Sequence, residues 1–508
     1  MSSTEDRLES LSTSNRPPSP QESSVAGELQ QLCDQKLRVM DTRIAALDRE
    51  LEDLKAQRAI IKGERDQYAD ILSARRLLPP EIIGRFMELA CLDDNPSSHS
   101  LGAYQQVSSF MLVSREWYRT ACGVAHFWTE LDMNFMDSSA EDTQNGIVKA
   151  VKRSARASEL PLSLKIAFAA ATPTNTRIVE FIHSQVSRLG LLSLRLQVDS
   201  IRDLQILDTL FHHSPSSSAP IWPRLHSLRI SIQSENDITV DSELSVPVSN
   251  FPLLSTAAIS SSNVTFAQYQ LAWSNLLRLD LGPLRQLKPR QYLSILKECP
   301  NLRFLHLRMH HQANSNRSGN LPATTLPNLT HFEFENTDSQ EVPMGQILSQ
   351  LTLPSLQSCT YTILDEGGYY TTIIRKLAEL FQRSRCLQSM KYLELNLSRG
   401  LANNDTLDTL FGTVPQLTVL KLSGHKMDPD TLDEVPPSVR DLTIKSLYYR
   451  IDDARDSFID YLNSRVASSD VPMKAQLHLA DTTRTFALRE RLDSLRKNVG
   501  SSLDVVMD

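Results

Sequence analysis

The strongest constraint on the fold is a short motif that returns again and again from about residue 160 onward. Its form is Pro-x-Leu-x-x-Leu-x-Leu, with substitutions. It reads Pro223-x-Leu225-x-x-Leu228-x-Ile230, then Pro300-x-Leu302-x-x-Leu305-x-Leu307 and Pro327-x-Leu329-x-x-Phe332-x-Phe334. Further copies are Pro354-x-Leu356-x-x-Cys359-x-Tyr361, Pro415-x-Leu417-x-x-Leu420-x-Leu422 and Pro437-x-Val439-x-x-Leu442-x-Ile444. Versions without proline start at Leu191, Leu276 and Met390, and a degenerate one centres on Leu254 and Ala257. The anchors from 191 to 439 lie 22 to 34 residues apart, with a mean of about 27.6, inside the roughly 20–29 residues of one known repeat class. In a strand, residues two apart share a face, so Leu305 and Leu307 enter one core while Phe304 and His306 point away. One such unit cannot bury its apolar side alone, but a stack can. The expected fold is therefore α/β: a solenoid of parallel strands with helical or irregular returns.

Residues 291–297 and 406–411 read as return helices, stopped by Pro300 and Pro415. The period and the Leu-x-x-Leu-x-Leu core resemble leucine-rich repeats. The array is expected over 132–448. A terminal cap is expected over 449–508, with helices at 454–466 and 482–497 and a strand at 476–479. The outward strand positions would form one surface. Arg229, Arg278, Phe304, His306, His331, Glu333, Glu394 and Lys421 are its candidate target-binding residues, with Lys391 and Asn396 beside them. The set is mixed in charge, with one aromatic, and suits a protein partner.

The amino-terminal quarter has a different texture. Residues 1–24 are polar and carry Pro-Pro-Ser-Pro at 17–20, and they read as a disordered tail. Residues 25–75 lack proline and are rich in good helix formers. Leu37, Met40, Ile44, Leu47, Leu51, Leu54, Arg58, Ile61, Arg65, Tyr68 and Leu72 alternate in steps of three and four, an a/d seam with arginine at two a positions. Two readings stand: a homodimeric coiled coil over 25–72, or a long helix packing its seam on its own chain.

Residues 76–131 read as a small helical module. Pro79 and Pro80 open a helix. Ile82, Phe86 and Leu89 make one apolar row, with Ile83, Met87 and Ala90 beside it. About fifty residues bury little of their own surface, so a wide apolar arc implies completion by a partner. Leu78-Pro79-x-Glu81-Ile82, Val113-Ser114-x-x-Trp117 and Trp128 resemble an F-box. The order of coiled coil, F-box-like segment and leucine-rich repeats is similar to that of a large fungal group of F-box proteins. The resemblance implies docking on a Skp-type adaptor, and through it a cullin–RING ubiquitin ligase, by Leu78, Pro79, Pro80, Ile83, Val113 and Trp117. The chain departs from the pattern in a long polar loop at 92–106 and in Ser114, where many relatives have cysteine.

Composition narrows the alternatives. With 53 Lys and Arg against 60 Asp and Glu, the net charge is −7, so a dedicated nucleic-acid binder is not expected. No apolar run is long enough for a membrane span, and the polar amino terminus lacks a signal-peptide pattern, so a cytoplasmic or nuclear protein is expected. The six cysteines are scattered, with no C-x-x-C pair, and read as free thiols. No phosphate loop, zinc-protease helix or nucleophile elbow occurs. Neither catalytic residue, metal nor cofactor is expected. The pairs His212-His213 and His310-His311 read as surface histidines and Gly367-Gly368 as a turn. An alternative function is a protein-interaction scaffold unconnected with ubiquitin.

Overall fold

The computed structural model describes residues 16–72, 78–91, 101–170, 175–212, 221–246, 250–271, 273–284, 287–309, 321–336, 342–363, 370–397, 404–424, 435–446, 464, 473–479 and 503–507. The chain divides into two compact units, with the division after Leu92.

The first unit is dominated by one 52-residue helix, α1 (Pro20–Ile71). Its start is set by a reciprocal cap: the Glu22 N–H donates to Ser19 Oγ (3.3 Å) and the Ser19 N–H to Glu22 Oε2 (2.8 Å). Pro20 sits where a helix needs no N–H. The expected disordered tail thus ends earlier than residue 24, because this capping sequence lies inside it. Every residue of the 37–72 seam whose burial is described is exposed. A second helix, α2 (Pro80–Cys91), follows.

The second unit opens with α3 (Leu101–Met111) and α4 (Arg115–Gly123). Part of the expected polar loop at 92–106 is therefore helical. Residues 92–100 lie outside the described residues. Strands β1 (Glu130–Phe135), β2 (Leu162–Ala169) and β3 (Leu189–Gln197) alternate with α5 (Ala140–Arg156) and α6 (Asn175–Gln185). Then come α7 (Gln205–His212), β4 (Ser227–Val246), β5 (Thr256–Leu271), β6 (Arg278–Leu284), α8 (Pro289–Lys297), β7 (Phe304–Met309), β8 (Thr324–Thr325) and β9 (His331–Asn336). The series continues with α9 (Val342–Gln350), β10 (Leu351–Thr352), β11 (Ser358–Ile363), α10 (Tyr370–Ser384), β12 (Tyr392–Asn396), α11 (Asn404–Gly412) and β13 (Val419–Gly424). It ends with β14 (Asp441–Ser446), β15 (Met473–Leu479) and β16 (Leu503–Met507).

Fourteen strands form one parallel sheet whose order follows the chain; β8 and β10 pair separately. The fold is α/β, and the sheet does not close, since β1 and β16 are its edges. The expected cap contributes two of these strands, and its expected strand at 476–479 is found within β15. Its expected helices, 454–466 and 482–497, fall outside the described residues, apart from an isolated position at 464. The same holds for His213, His310, His311, Gly367 and Gly368.

The entry to several of the strands is stereotyped. The anchor N–H closes a turn onto a carbonyl three residues back: Leu225 to Trp222, Leu276 to Trp273, Leu302 to Cys299, Leu329 to Leu326, Leu356 to Leu353 and Leu417 to Val414. Most of these pairs are fully buried. One carbonyl just before a strand then accepts two successive N–H groups from the next. Leu277 O takes Arg303 and Phe304 (2.8 and 3.0 Å), and Arg303 O takes Thr330 and His331 (2.9 and 3.0 Å). Thr330, Gln357, Lys391 and Thr418 continue the ladder. Within the strands, burial alternates residue by residue, as in β1 and β11. Leu305, Leu307, Phe332, Cys359 and Leu393 point to the core, which includes a stack of Phe332, Phe334 and Tyr361 with centroids 5.0 and 4.4 Å apart.

One anchor differs from expectation. Leu191 pairs with Ser227 at an outward-facing register position, and fully buried Leu189 holds the equivalent of Leu225. Gly282 answers a close approach: a Cβ there would lie 2.5 Å from Ser260 Cβ and 3.2 Å from Ser260 Cα, where the β5–β6 pairing shifts register. Arg383 ties neighbouring return segments together. Its Nε and Nη2 donate to Leu351 O (2.9 and 2.7 Å) and Nη2 to Leu348 O (2.6 Å), which satisfies a carbonyl in the last turn of α9 and the one that opens β10.

Candidate protein-docking surfaces

Two rows of apolar side chains run along α2, and they have opposite fates. Ile83 and Met87 are buried, Ile83 being 1% exposed. Ile82, Phe86 and Leu89 are each more than half exposed, and Leu78 precedes them on the surface. Pro79 and Pro80 are exposed too. Ile83 is therefore covered in this position, and the exposed apolar row of α2 is Ile82–Phe86–Leu89. The apolar arc is wide enough that sequence alone does not say which row is covered.

In the second unit, Ser114 is the N-cap of α4, and its Oγ accepts the Trp117 N–H at 3.3 Å. A serine hydroxyl is among the preferred groups for this position. Trp117 is half-buried, with its ring 5.9 Å from that of Phe110, while Val113 is exposed beside Leu112 and Tyr118. Trp128 is buried; its Nε1 donates to Ala121 O at 3.0 Å and Arg156 lies over its ring at 4.6 Å.

The outward face of the sheet gathers most of the other candidates. Register aligns Arg278, Phe304, His331, Ser358, Tyr392 and Val419 in one row. Asp280, His306, Glu333, Thr360, Glu394 and Lys421 form the next. Arg229 joins that second row two strands earlier, across Ala258. Arg278 lies 3.8 Å over the Phe304 ring, and His331 stacks on its neighbouring edge with centroids 6.2 Å apart. Lys421 approaches the Tyr392 ring at 5.2 Å. Lys391, expected to face outward, lies just before β12; Tyr392 occupies the outward position instead.

Charges on this face are linked. His306 Nδ1 lies 3.4 Å from Asp280 Oδ2, and His306 Nε2 lies 3.7 Å from Glu335 Oε2. Arg308 Nε donates to Glu335 at 2.9 Å. Burial alone would raise the Asp280 pKa, but the hydrogen bond and charge of His306, with Arg308 and Arg278, outweigh it and hold the carboxyl below its usual range. Tyr392 donates to Glu394 Oε2, whose other oxygen accepts from Asn396 Nδ2 at 3.1 Å. Burial pushes the Tyr392 hydroxyl up, and the Glu394 bond and charge, then Glu333 and Asp441, push it further. Glu335, Arg308 and Tyr392 were not among the candidates. Extending the period-two reading one step past 306 and 333 reaches the first two.

Among the described residues, no group of three or more His, Cys, Asp or Glu is placed to hold a metal ion, and no helix is long and apolar enough to cross a membrane. The outward sheet face presents aromatic rings, cations and carboxylates side by side. No protein-family model matches the chain, and no curated protein matches its sequence.

Proposed function

We propose that this chain is the substrate-recognition subunit of a Skp–cullin–F-box-type ubiquitin ligase, with the sheet belonging to a leucine-rich-repeat solenoid. The observation that carries the reading is the exposed apolar row of α2, Ile82, Phe86 and Leu89, next to the exposed Leu78-Pro79-Pro80 of the F-box-like motif. A short helix that leaves three large apolar side chains more than half exposed beside such a motif suits a partner. The adaptor would dock there and, by the resemblance, at Val113 and Trp117. The outward sheet face would hold a target protein around Phe304, His331 and Tyr392. The chain performs no chemistry itself. It raises the effective concentration of a target lysine near the charged ubiquitin carrier, in the cytoplasm or nucleus.

The test is co-purification with a Skp-type adaptor, wild type against a Leu78→Ala, Pro79→Ala double variant. Binding by the wild type that the variant loses supports the reading. No binding by folded wild type overturns it. One observation favours a second reading, a scaffold unconnected with ubiquitin: the exposed seam of α1 offers self-association without any ligase.

A further inference from the structure

The seam of α1 carries more information than its exposure. With Leu37 at a, the e positions read Asp34, Asp41, Asp48, Lys55, Lys62, and the g positions Lys36, Arg43, Glu50, Gln57, Glu64. Both flanks change sign near the middle of the helix. Flank charges of this kind suit two copies in either direction. Parallel copies would pair Lys36 with Asp41, Arg43 with Asp48 and Glu50 with Lys55; antiparallel copies would pair Asp48 with Lys55, Asp41 with Lys62 and Arg43 with Glu64.

The two arginines of the seam decide between them. In a parallel pair Arg58 would face Arg58 of the other copy, flanked by Lys55 and Lys62, and Arg65 would face Arg65. Like charges at a desolvated seam are strongly unfavourable. In an antiparallel pair centred between Leu51 and Leu54, Arg58 meets Leu47 with Asp48 beside it, and Arg65 meets Met40 with Asp41 beside it. Each arginine then has an apolar surface for its stem and a carboxylate for its head. The exposed ion pairs that Lys55 and Arg65 make within their own helix, to Glu52 and Asp66, are of the weak surface kind and readily exchanged.

We infer that α1 binds a second copy of this chain as an antiparallel two-stranded coiled coil over residues 37–68. The inference rests on the self-association reading of residues 25–72 and is independent of adaptor docking. Cys33 supplies a native probe, being exposed and free. In the antiparallel pair it lies across from Leu72, so two Cys33 residues are about 58 Å apart along the axis at 1.5 Å per residue. In a parallel pair they are neighbours.

The experiment uses the full chain with Cys91→Ser and Cys122→Ser, spin-labelled at Cys33, with sedimentation to give the association constant. A dimer with a label distance near 60 Å is expected. Lys62→Glu should weaken it roughly tenfold by setting a second carboxylate against Asp41, and Asp41→Lys in the same chain should restore it. A monomer at tens of micromolar overturns self-association. A dimer with labels within about 20 Å, or one indifferent to Lys62→Glu, overturns the antiparallel pairing. Adaptor co-purification should be the same for the wild type and Lys62→Glu.

Discussion

The side chain of Asn328 donates a 3.2 Å hydrogen bond to the carbonyl oxygen of Pro300, twenty-eight residues earlier. The contact recurs one step along the chain, where Ser355 Oγ donates to Pro327 O at 2.6 Å, and again where Ser438 Oγ donates to Pro415 O at 2.7 Å. Each donor follows the proline of its own motif, and each acceptor is the proline carbonyl of an earlier one. The motif is therefore Pro-Asn/Ser-Leu/Val at these positions, with a polar rung beside the apolar anchor. Asn328→Ala should lower stability by about 0.5–1.5 kcal/mol, the usual net worth of one hydrogen bond. Urea unfolding of the single variants checks this. A loss above about 3 kcal/mol would mean that Asn328 does more than bridge.

Leu305 tests the core against the surface. It is fully buried on β7, between Leu279 of β6 and Phe332 of β9. Leu305→Ala should cost about 2–5 kcal/mol through lost burial and the cavity left behind. Leu253, exposed in the turn before β5, should lose under about 0.5 kcal/mol on the same change. Equal losses at the two positions in urea titrations would contradict the alternation of the sheet.

The success of the Leu305 reading and the failure of the Leu191 reading have the same origin. Around 305 the run is Phe304-Leu305-His306-Leu307-Arg308-Met309, in which Leu305, Leu307 and Met309 stand two apart, so only one register buries all three. Around 191 the run is Leu189-Gly190-Leu191-Leu192, and any of three leucines can serve as anchor when only spacing is known. Gly190 breaks the tie in the structure: its carbonyl accepts the His226 N–H at 2.9 Å, and a Cβ there would meet the His226 ring at 3.2 Å. No local pattern announces such a partner thirty-six residues away. Likewise Ile82 and Ile83 are chemically identical, and only tertiary packing distinguishes the buried one. The lengths of β4 and β5 were hidden for another reason. Their Ser, Asn and Gln residues carry little of the apolar alternation that marks a strand.

Asp280 should give the protein an acid-sensitive element. Its folded pKa lies below the ordinary value of 3.8. A carboxylate so lowered contributes stability that is fully present above its unfolded pKa and is lost as pH falls through the folded one. Stability should therefore fall more steeply below about pH 4 in the wild type than in Asp280→Asn, which has no carboxylate to protonate there. Urea midpoints from about pH 3 to 7 measure it. Parallel acid limbs for the two proteins would show that the His306 contact contributes nothing.

The thiols should separate by burial. Burial pushes Cys299 up to about 12, with the Glu298 charge adding to it, and pushes Cys386 up to about 11 against a backbone hydrogen bond that lowers it. Cys359 is raised by burial, then by Cys386 and Glu333. Since the thiolate is the reactive form, iodoacetamide at about pH 8 should modify exposed Cys33 in the native protein and leave Cys299, Cys359 and Cys386 intact until denaturant is added. Peptide mass spectrometry reads each site separately. Native alkylation of Cys299 at the rate of Cys33 would mean that α8 does not stay packed over it.

The exposed row of α2 should be separable from stability. Phe86 is 55% exposed and Ile83 is 1% exposed, one helical turn apart in opposite environments. Phe86→Ala removes little buried area, so unfolding should shift by under about 0.5 kcal/mol. Ile83→Ala removes a buried side chain and should cost about 2–5 kcal/mol. If α2 is the adaptor-docking helix, Phe86→Ala alone should abolish or sharply weaken co-purification while the unfolding curve stays in place. Large apolar anchors dominate interface energetics, and their truncation often costs about 2 kcal/mol or more, roughly thirtyfold in affinity. Adaptor binding that survives Phe86→Ala unchanged would move the docking surface away from this row, however well the Leu78-Pro79 motif matches.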